Sequence, residues 1–264
     1  MPGLPIEKKY NTKYGKISYY KQDGEPNYVF VHGLGGQKDL FSELFNIKES
    51  HNKGILCVDL LGYGKSGDIK EKYSFHIQAE ALRELFLNLG ITKINLVLHS
   101  MSSALTPHFL KFNDLEISQI FLLEGNLFEE DADWSHKISI MSDLEYKIYF
   151  EKIQKCSYLL LSQQLQSSYP EEQINKWAQC YVNANERAFR ETSEELYEVT
   201  SNGSIIKTLY NFPGKIVYFR GGKNQDWSGY DKLKELDIDI IKVENAGHYL
   251  MLDNPRFVYS KIFE

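Results

Sequence analysis

Short apolar runs rich in branched residues alternate along this chain with longer stretches whose apolar residues recur every three to four positions. The short runs predict buried strands, and the longer periodicity predicts amphipathic helices. The predicted strands are 16–21, 27–31, 54–59, 94–98, 119–123, 215–219 and 239–243. The predicted helices are a segment that ends near 47, then 74–89, 102–112, 230–236 and a last helix after Pro255. This alternation is typical of an α/β fold, with a mostly parallel central sheet and helices on both faces.

The pattern changes between 125 and 212, where long helical stretches rich in Tyr, Leu, Gln and Glu replace the alternation. This part has no clear buried strand, and its helical pattern breaks at Pro170. We therefore predict a core domain formed by 1–124 and 213–264, with 125–212 inserted into it as a helical cap.

The composition of the chain argues against several classes of function. The chain has 264 residues and a formal net charge of −6, and its Lys and Arg residues are scattered, which argues against nucleic-acid binding. Its three cysteines suit neither a disulfide framework nor a zinc site and favour a reducing cytoplasm. No apolar run approaches the roughly 18 residues of a membrane span. We expect a soluble cytoplasmic protein with no metal, no organic cofactor and no stable membrane insertion.

A candidate nucleophile lies in the segment 93–104, KINLVLHSMSSA, where an apolar strand runs directly into a run of small residues. A sharp turn from strand to helix exposes the side chain between them at the carboxyl edge of a sheet, and Ser100 holds that position. The usual pattern there is G-x-S-x-G, but Leu98 and Ser102 stand at the glycine positions. Taken alone, Ser100 could instead be the N-cap of a helix.

Two further segments carry candidate chemistry. In 29–36, VFVHGLGG, a glycine-rich turn follows a strand and could direct the backbone N–H of Leu34 at an oxyanion, with that of Met101 as the second donor. The alternative is a turn without any ligand. We expect His32 to be structural, and the neighbouring Gly33 and His99 to contact the substrate.

His248, in 243–255, VENAGHYLMLDNP, lies in a loop between the last predicted strand and the last helix. Histidine titrates in the range needed to remove a serine proton, so His248 is the candidate base. Glu124 ends an apolar strand in FLLEGN, where a buried carboxylate needs a partner that His248 could supply. We favour Glu124 as the acid that orients His248. Asp226 competes for this role, and Glu124 could instead bind local backbone N–H groups.

These motifs resemble those of the α/β-hydrolase superfamily, particularly its capped esterases and lipases. The resemblance covers nearly the whole chain and rests on FVHGLGG, DLLGYGKSG, LVLHSMSSA and AGHYLMLDNP, in the family's order. It implies that Ser100 is the nucleophile, that His248 is the base, and that Leu34 and Met101 form the oxyanion hole. Family members place the acid after either of two strands, and Asn224 stands where the commoner choice would be.

The resemblance also restricts the reaction, because haloalkane dehalogenases and epoxide hydrolases of this fold use an aspartate where this chain has Ser100. We therefore predict a serine hydrolase that cleaves a small, largely apolar carboxylic ester or thioester through an acyl-enzyme. Large apolar side chains of the cap could face such a substrate, although most should serve packing: Phe128, Trp134, Tyr146, Tyr149, Phe150, Tyr158 and 159–161. The alternatives are a weakly active or non-hydrolytic binding protein, and a lyase or carbon–carbon hydrolase on the same scaffold.

Overall fold

The computed structural model describes residues 4–223, 227 and 229–264. Within these residues, eight strands join in one sheet with the order β1-β2-β4-β3-β5-β6-β7-β8. The strands are β1 Lys8–Asn11, β2 Lys16–Gln22, β3 Asn27–Val31, β4 Gly54–Val58, β5 Lys93–His99, β6 Glu116–Leu123, β7 Lys215–Gly221 and β8 Asp239–Val243. Strands β3 to β8 run parallel to one another, whereas β2 pairs antiparallel with β4 and β1 pairs antiparallel with β2 at one edge. The predicted, mostly parallel sheet is confirmed.

Seven of the strands were predicted from their apolar runs, and β1 was not. Its sequence, KKYN, is mostly exposed and carries no apolar run that would distinguish it from a loop. Because β1 gains its hydrogen bonds by pairing with β2, its formation depends on a neighbouring strand and not on its own pattern.

Helices fill most of the remaining chain. They are α1 Phe75–Asn88, α2 Thr106–Phe109, α3 Asp133–Ser139, α4 Asp143–Lys155, α5 Ser157–Gln164, α6 Glu171–Asn183, α7 Glu186–Ser201, α8 Ser204–Tyr210, α9 Gly229–Glu235, α10 Leu250–Asp253 and α11 Pro255–Phe263. Aromatic residues of α11 contact one face of β3, where the rings of Tyr28 and Phe263 lie 4.9 Å apart. Side chains alternate along a strand, so Val29 and Val31 face the opposite side of the sheet. Both faces of this central strand are buried, as the prediction of helices on both faces requires.

Two predicted helices differ from those observed. The helix expected to end near 47 is a 3-10 helix, Lys38–Asn46. The helix expected over 102–112 begins as a 3-10 helix at Ser100–Leu105 and is α-helical only in α2. Pro107 explains the second difference, because it has no N–H with which to bond the Ser103 carbonyl, and that carbonyl accepts from Thr106 instead.

The order of the strands reverses at β3. The strand that follows it in the chain, β4, lies on one side of it, and the next strand, β5, lies on its other side. Ligands of open α/β sheets bind at such a switch point, beyond the carboxyl ends of the strands. Strand β3 ends at Val31, directly before the glycine-rich turn, and β5 ends at His99, directly before Ser100, so both candidate segments lie at this point.

Residues 125–212 are helical, with α3 to α8 and no strand, as predicted. They contact loops at the carboxyl edge of the sheet: Asn185 N donates to Gly62 O at 2.8 Å, and His248 N donates to Gln164 O at 2.9 Å. The division into a core and a cap stays a prediction. No helix among the described residues combines the length and the apolar composition needed to cross a bilayer.

Candidate active site

Ser100 occupies a sharp turn between β5 and the 3-10 helix that follows it, with a φ of 51°. Positive φ is uncommon outside glycine and costs on the order of 1–3 kcal/mol, which the surrounding structure must offset. The turn forms although neither flanking glycine is present. Leu98 is paired in β5 between Val31 and Leu122. The Ser102 hydroxyl lies 2.9 Å from the carbonyl oxygens of Val31 and of His99, so it is satisfied inside the turn.

A residue just beyond the end of β3 packs closely against this turn. A Cβ atom added to Gly33 would lie 2.8 Å from the Cβ of Ser100 and 3.0 Å from Nδ1 of His99. Such distances leave no room for a side chain. Gly33 therefore packs directly against the candidate nucleophile, and its predicted contact with a substrate stays a prediction.

His248 pairs with Glu124 and lines the same cavity as Ser100. His248 Nδ1 lies 3.5 Å from Glu124 Oε2, within the range of charge interaction but longer than an ordinary hydrogen bond of about 2.7–3.2 Å. The side chain of His248 is 27% exposed and that of Glu124 only 2%, so the imidazole reaches the cavity while the carboxylate lies behind it. Glu124 itself follows β6 with a φ of 49°, and this bend turns its side chain toward the His248 loop.

The buried Glu124 carboxylate has further partners. Its Oε1 accepts from the backbone N of Gly221 at 2.6 Å, and its Oε2 accepts from Arg220 Nη1 at 3.0 Å. The Arg220 guanidinium in turn lies 4.7 Å from the ring centre of Trp227. These contacts offset the cost of burying a charge and fix the carboxylate in place. Asp226, the competing candidate for the acid, lies outside the described residues.

His99 is buried beside His248, with the two ring centres 4.9 Å apart. Burial lowers the pKa of His99 well below its ordinary value, and the neighbouring His248 adds to the effect, so His99 is neutral. Its Nε2 lies 3.1 Å from the His248 carbonyl oxygen, and because a carbonyl only accepts, Nε2 carries the proton. His99 thus supports the backbone of the His248 loop. It also lines the cavity, and its contact with a substrate stays a prediction.

His32 ties the turn after β3 to the end of β4. Its Nδ1 lies 2.8 Å from Gly33 O, and its Nε2 accepts from the backbone N of Leu60 at 3.0 Å. Burial lowers the pKa of His32 to about 4. Both ring nitrogens are engaged with backbone groups, which is the structural role that we expected from the sequence.

The candidate oxyanion-hole residues lie on either side of the turn. Leu34 lines the cavity, and Met101 follows Ser100 with its side chain fully buried. Gly36 N donates to Gly33 O at 2.9 Å, which closes the glycine-rich turn around Leu34. Their role as backbone donors stays a prediction.

Asn126 is a site residue that the sequence reasoning missed. The Ser100 hydroxyl donates to Asn126 Oδ1 at 3.0 Å, and Asn126 N lies 3.3 Å from Ser100 O. An asparagine after a predicted strand has no pattern of its own. Its position two residues beyond Glu124, at the same edge of the sheet, is the signal that could have identified it.

These groups line a cavity of about 170 Å³. A cavity of about 150 Å³ accommodates a benzene ring, so this one has room for a group of similar size. Its lining comes from the sheet edge and from the helical segment: Leu34, His99, Ser100, Asn126, Asp131, Trp134, Ser135, Gln164, Tyr181, Leu196, His248 and Tyr249. Of the large apolar side chains predicted to face a substrate, Trp134 lines this cavity, whereas Tyr146 and Phe150 are buried in the packing of the segment. Among the residues that the structure describes, no group of His, Cys, Asp and Glu is placed to hold a metal ion.

Comparisons with known proteins agree with this architecture. The sequence model of the alpha/beta hydrolase fold matches residues 28–255. Lipase 3 of Moraxella sp. (strain TA144) is 24% identical over 257 residues, which are 90% of this chain and 77% of that lipase. The esterase EaEST from Exiguobacterium antarcticum superposes with a TM-score of 0.79 at 16% identity and covers 99% of this chain and 98% of its own. The epoxide hydrolase CorEH superposes with a TM-score of 0.80 at 15% identity, covering 97% and 96%.

Proposed function

The chain belongs to the alpha/beta hydrolase fold family, and from this premise we propose that it is a serine hydrolase acting on a carboxylic ester or thioester. The observation that carries the proposal is the strained turn at Ser100, which places a hydroxyl in the same cavity as His248, with Glu124 behind the imidazole. The esterase and lipase relatives support the same class of reaction.

In the proposed reaction, His248 removes the proton of Ser100 as Oγ attacks the carbonyl carbon of the substrate. Glu124 stabilises the imidazolium and holds its orientation. The negative charge on the carbonyl oxygen is stabilised by the backbone N–H groups of Leu34 and Met101. His248 then gives the proton to the departing alcohol or thiol. A water molecule repeats the sequence on the acyl-enzyme and releases the acid.

The size and lining of the cavity favour a small acyl or aryl group. Apolar and aromatic surface from Leu34, Trp134 and Leu196 would contact it, while the volume of about 170 Å³ excludes a long chain unless the site opens. Trp134 and Leu196 belong to the segment 125–212, which supports its interpretation as a cap that selects the substrate.

Covalent labelling tests the proposal directly. We expect wild-type protein treated with a fluorophosphonate probe to gain one adduct in intact-mass analysis, and the Ser100→Ala variant to gain none. Ser135→Ala is the matched control, because Ser135 lines the same cavity but lies outside the turn. A folded wild-type protein that stays unlabelled, or labelling that persists in Ser100→Ala, would contradict the proposal.

A binding protein on the same scaffold is the second candidate. It is favoured by one observation: the single proton of the Ser100 hydroxyl is engaged by Asn126, not by His248. In that case no serine adduct would form, although small apolar ligands would still bind the cavity.

A further inference from the structure

Asn126 holds Ser100 from two sides. Its backbone N lies 3.3 Å from the Ser100 carbonyl oxygen, and its side-chain Oδ1 accepts the Ser100 hydroxyl at 3.0 Å. A third bond attaches it to the next turn, since Ser103 Oγ donates to Asn126 O at 2.7 Å. Asn126 is therefore fixed to the turn that carries the candidate nucleophile, and it lines the cavity there.

The orientation of the Asn126 amide is set by its surroundings. Its Nδ2 donates to the backbone carbonyl of Asp131, so Oδ1 must be the atom that faces Ser100. The Asp131 carboxylate keeps this loop in place: Oδ2 accepts from the backbone N of Leu127 at 2.9 Å and of Phe128 at 3.0 Å. An amide fixed in this way presents an acceptor oxygen to the cavity in every step of a reaction.

Acylation removes the proton donor that this acceptor uses. In the free protein the Ser100 hydroxyl supplies the hydrogen bond, but in an acyl-enzyme Ser100 Oγ is an ester oxygen and has no proton. Leaving Oδ1 without a donor would cost free energy, and the half-buried position of Asn126 gives water access to it. We propose that Asn126 is a positioning residue that binds the water molecule that hydrolyses the acyl-enzyme. This inference rests on the proposed serine hydrolase function.

The step balances in atoms and protons. The water oxygen attacks the acyl carbon, one water proton goes to His248, and the other is held by Asn126 Oδ1. When the tetrahedral intermediate breaks, Ser100 Oγ leaves as an alkoxide and recovers a proton from His248. The carboxylic acid is then free to leave, and the Ser100 hydroxyl can donate to Asn126 again.

The two half-reactions should respond differently to a change at Asn126. During acylation the resting bond from Ser100 to Asn126 must break before His248 can take the proton, so Asn126 does not promote that step. During deacylation its acceptor orients the attacking water. A residue that only maintained the fold would affect both steps to a similar extent.

Three variants separate the acceptor from the structure around it. Asn126→Leu keeps a similar volume and removes the acceptor. Asn126→Asp keeps an acceptor oxygen and, like the leucine variant, loses the Nδ2 donor to Asp131. Ser103→Ala loosens the same loop and leaves the amide intact.

A carbamoylating ester measures each step separately. With p-nitrophenyl dimethylcarbamate, release of p-nitrophenolate reports modification of Ser100, and recovery of esterase activity after removal of excess reagent reports hydrolysis of the carbamoyl-enzyme. We expect Asn126→Leu to slow recovery about tenfold, the value of one hydrogen bond, and to leave the rate of modification unchanged or raised, because the resting bond from Ser100 no longer has to break. Recovery in Asn126→Asp should stay within about threefold of wild type.

Equal effects of Asn126→Leu on both steps would overturn the inference, as would an Asn126→Asp variant that recovers as slowly as the leucine variant. The inference would also be overturned if Ser103→Ala slowed recovery more than Asn126→Leu does while leaving modification unchanged. Failure of wild type to form any carbamoyl-enzyme is distinguishable from these results, because it would reject the proposed function itself and the inference with it.

Discussion

Acid should destabilise this fold through His32, which lies next to the candidate oxyanion turn. The imidazole is fully buried, and its neutral form is matched to its partners, because Nε2 accepts from Leu60 N and Nδ1 faces Gly33 O. A proton on Nε2 would break the bond to Leu60. Burial accordingly lowers the pKa of His32 from 6.5 to about 4.

The sign and size of the effect follow from this pKa. In the unfolded chain His32 binds a proton near pH 6.5, whereas in the folded protein it does so only near pH 4. Between these pH values the unfolded state binds more protons than the folded state. The free energy of unfolding therefore rises as pH rises and decreases as pH falls. From pH 8 to pH 5 the loss amounts to about 2 kcal/mol, a large part of the roughly 5–15 kcal/mol that stabilises a domain.

Urea unfolding followed by tryptophan fluorescence at pH 8 and pH 5 measures this loss. The His32→Gln variant removes the titrating group and can keep an acceptor for Leu60 N. We expect its loss of stability between the two pH values to be about 2 kcal/mol smaller than that of wild type. His51→Gln is the control, because His51 is exposed and its removal should leave the wild-type difference unchanged. An identical pH dependence in wild type and His32→Gln would refute the reasoning.

Two further variants test the geometry of the site. Glu124→Gln keeps an acceptor for the backbone N of Gly221 but removes the charge that stabilises the imidazolium, so turnover of p-nitrophenyl butyrate should fall about a thousandfold or more. A loss below tenfold would assign the acid elsewhere. Gly33→Ala would place a methyl group 2.8 Å from the Cβ of Ser100 and should lower turnover about a hundredfold. Gly67→Ala is the control and should retain activity, because the nearest atom to its added methyl group would be 3.4 Å away. Equal activities of the two glycine variants would contradict the packing argument.

The parts of the fold that could be predicted from the sequence are those with strong local patterns. Strand β5 is a nearly continuous apolar run, and its pairing between β3 and β6 places it in the centre of the sheet, where such runs are required. Ser100 and Glu124 follow neighbouring parallel strands, so their meeting at one edge follows from topology alone. The contacts of His248 with this edge agree with its predicted place after the last strand.

The parts that could not be predicted depend on partners distant in the chain. The 3-10 geometry after Ser100 depends on Pro107 and on the contacts of the Ser102 hydroxyl with the carbonyl oxygens of Val31 and His99, which no local periodicity reveals. Asn126 gained its place in the site because Asp131 fixes its amide and Ser103 fixes its carbonyl. Such side-chain bonds depend on the folded path of the loop, which no local pattern in the sequence encodes.

The turn at Ser100 also explains how the glycine pattern around a nucleophile can be relaxed. The G-x-S-x-G pattern exists because two strands and a helix approach one another closely around the nucleophile. Such a close approach needs a missing side chain in only one of the approaching segments. In this chain Gly33 of the facing turn supplies the space, with 2.8 Å from its hypothetical Cβ to Ser100, while Leu98 is accommodated within the sheet. The missing glycines therefore do not argue against a nucleophile at Ser100. The relevant constraint is the distance between the ends of β3 and β5, which a motif that describes only one of the two segments cannot express.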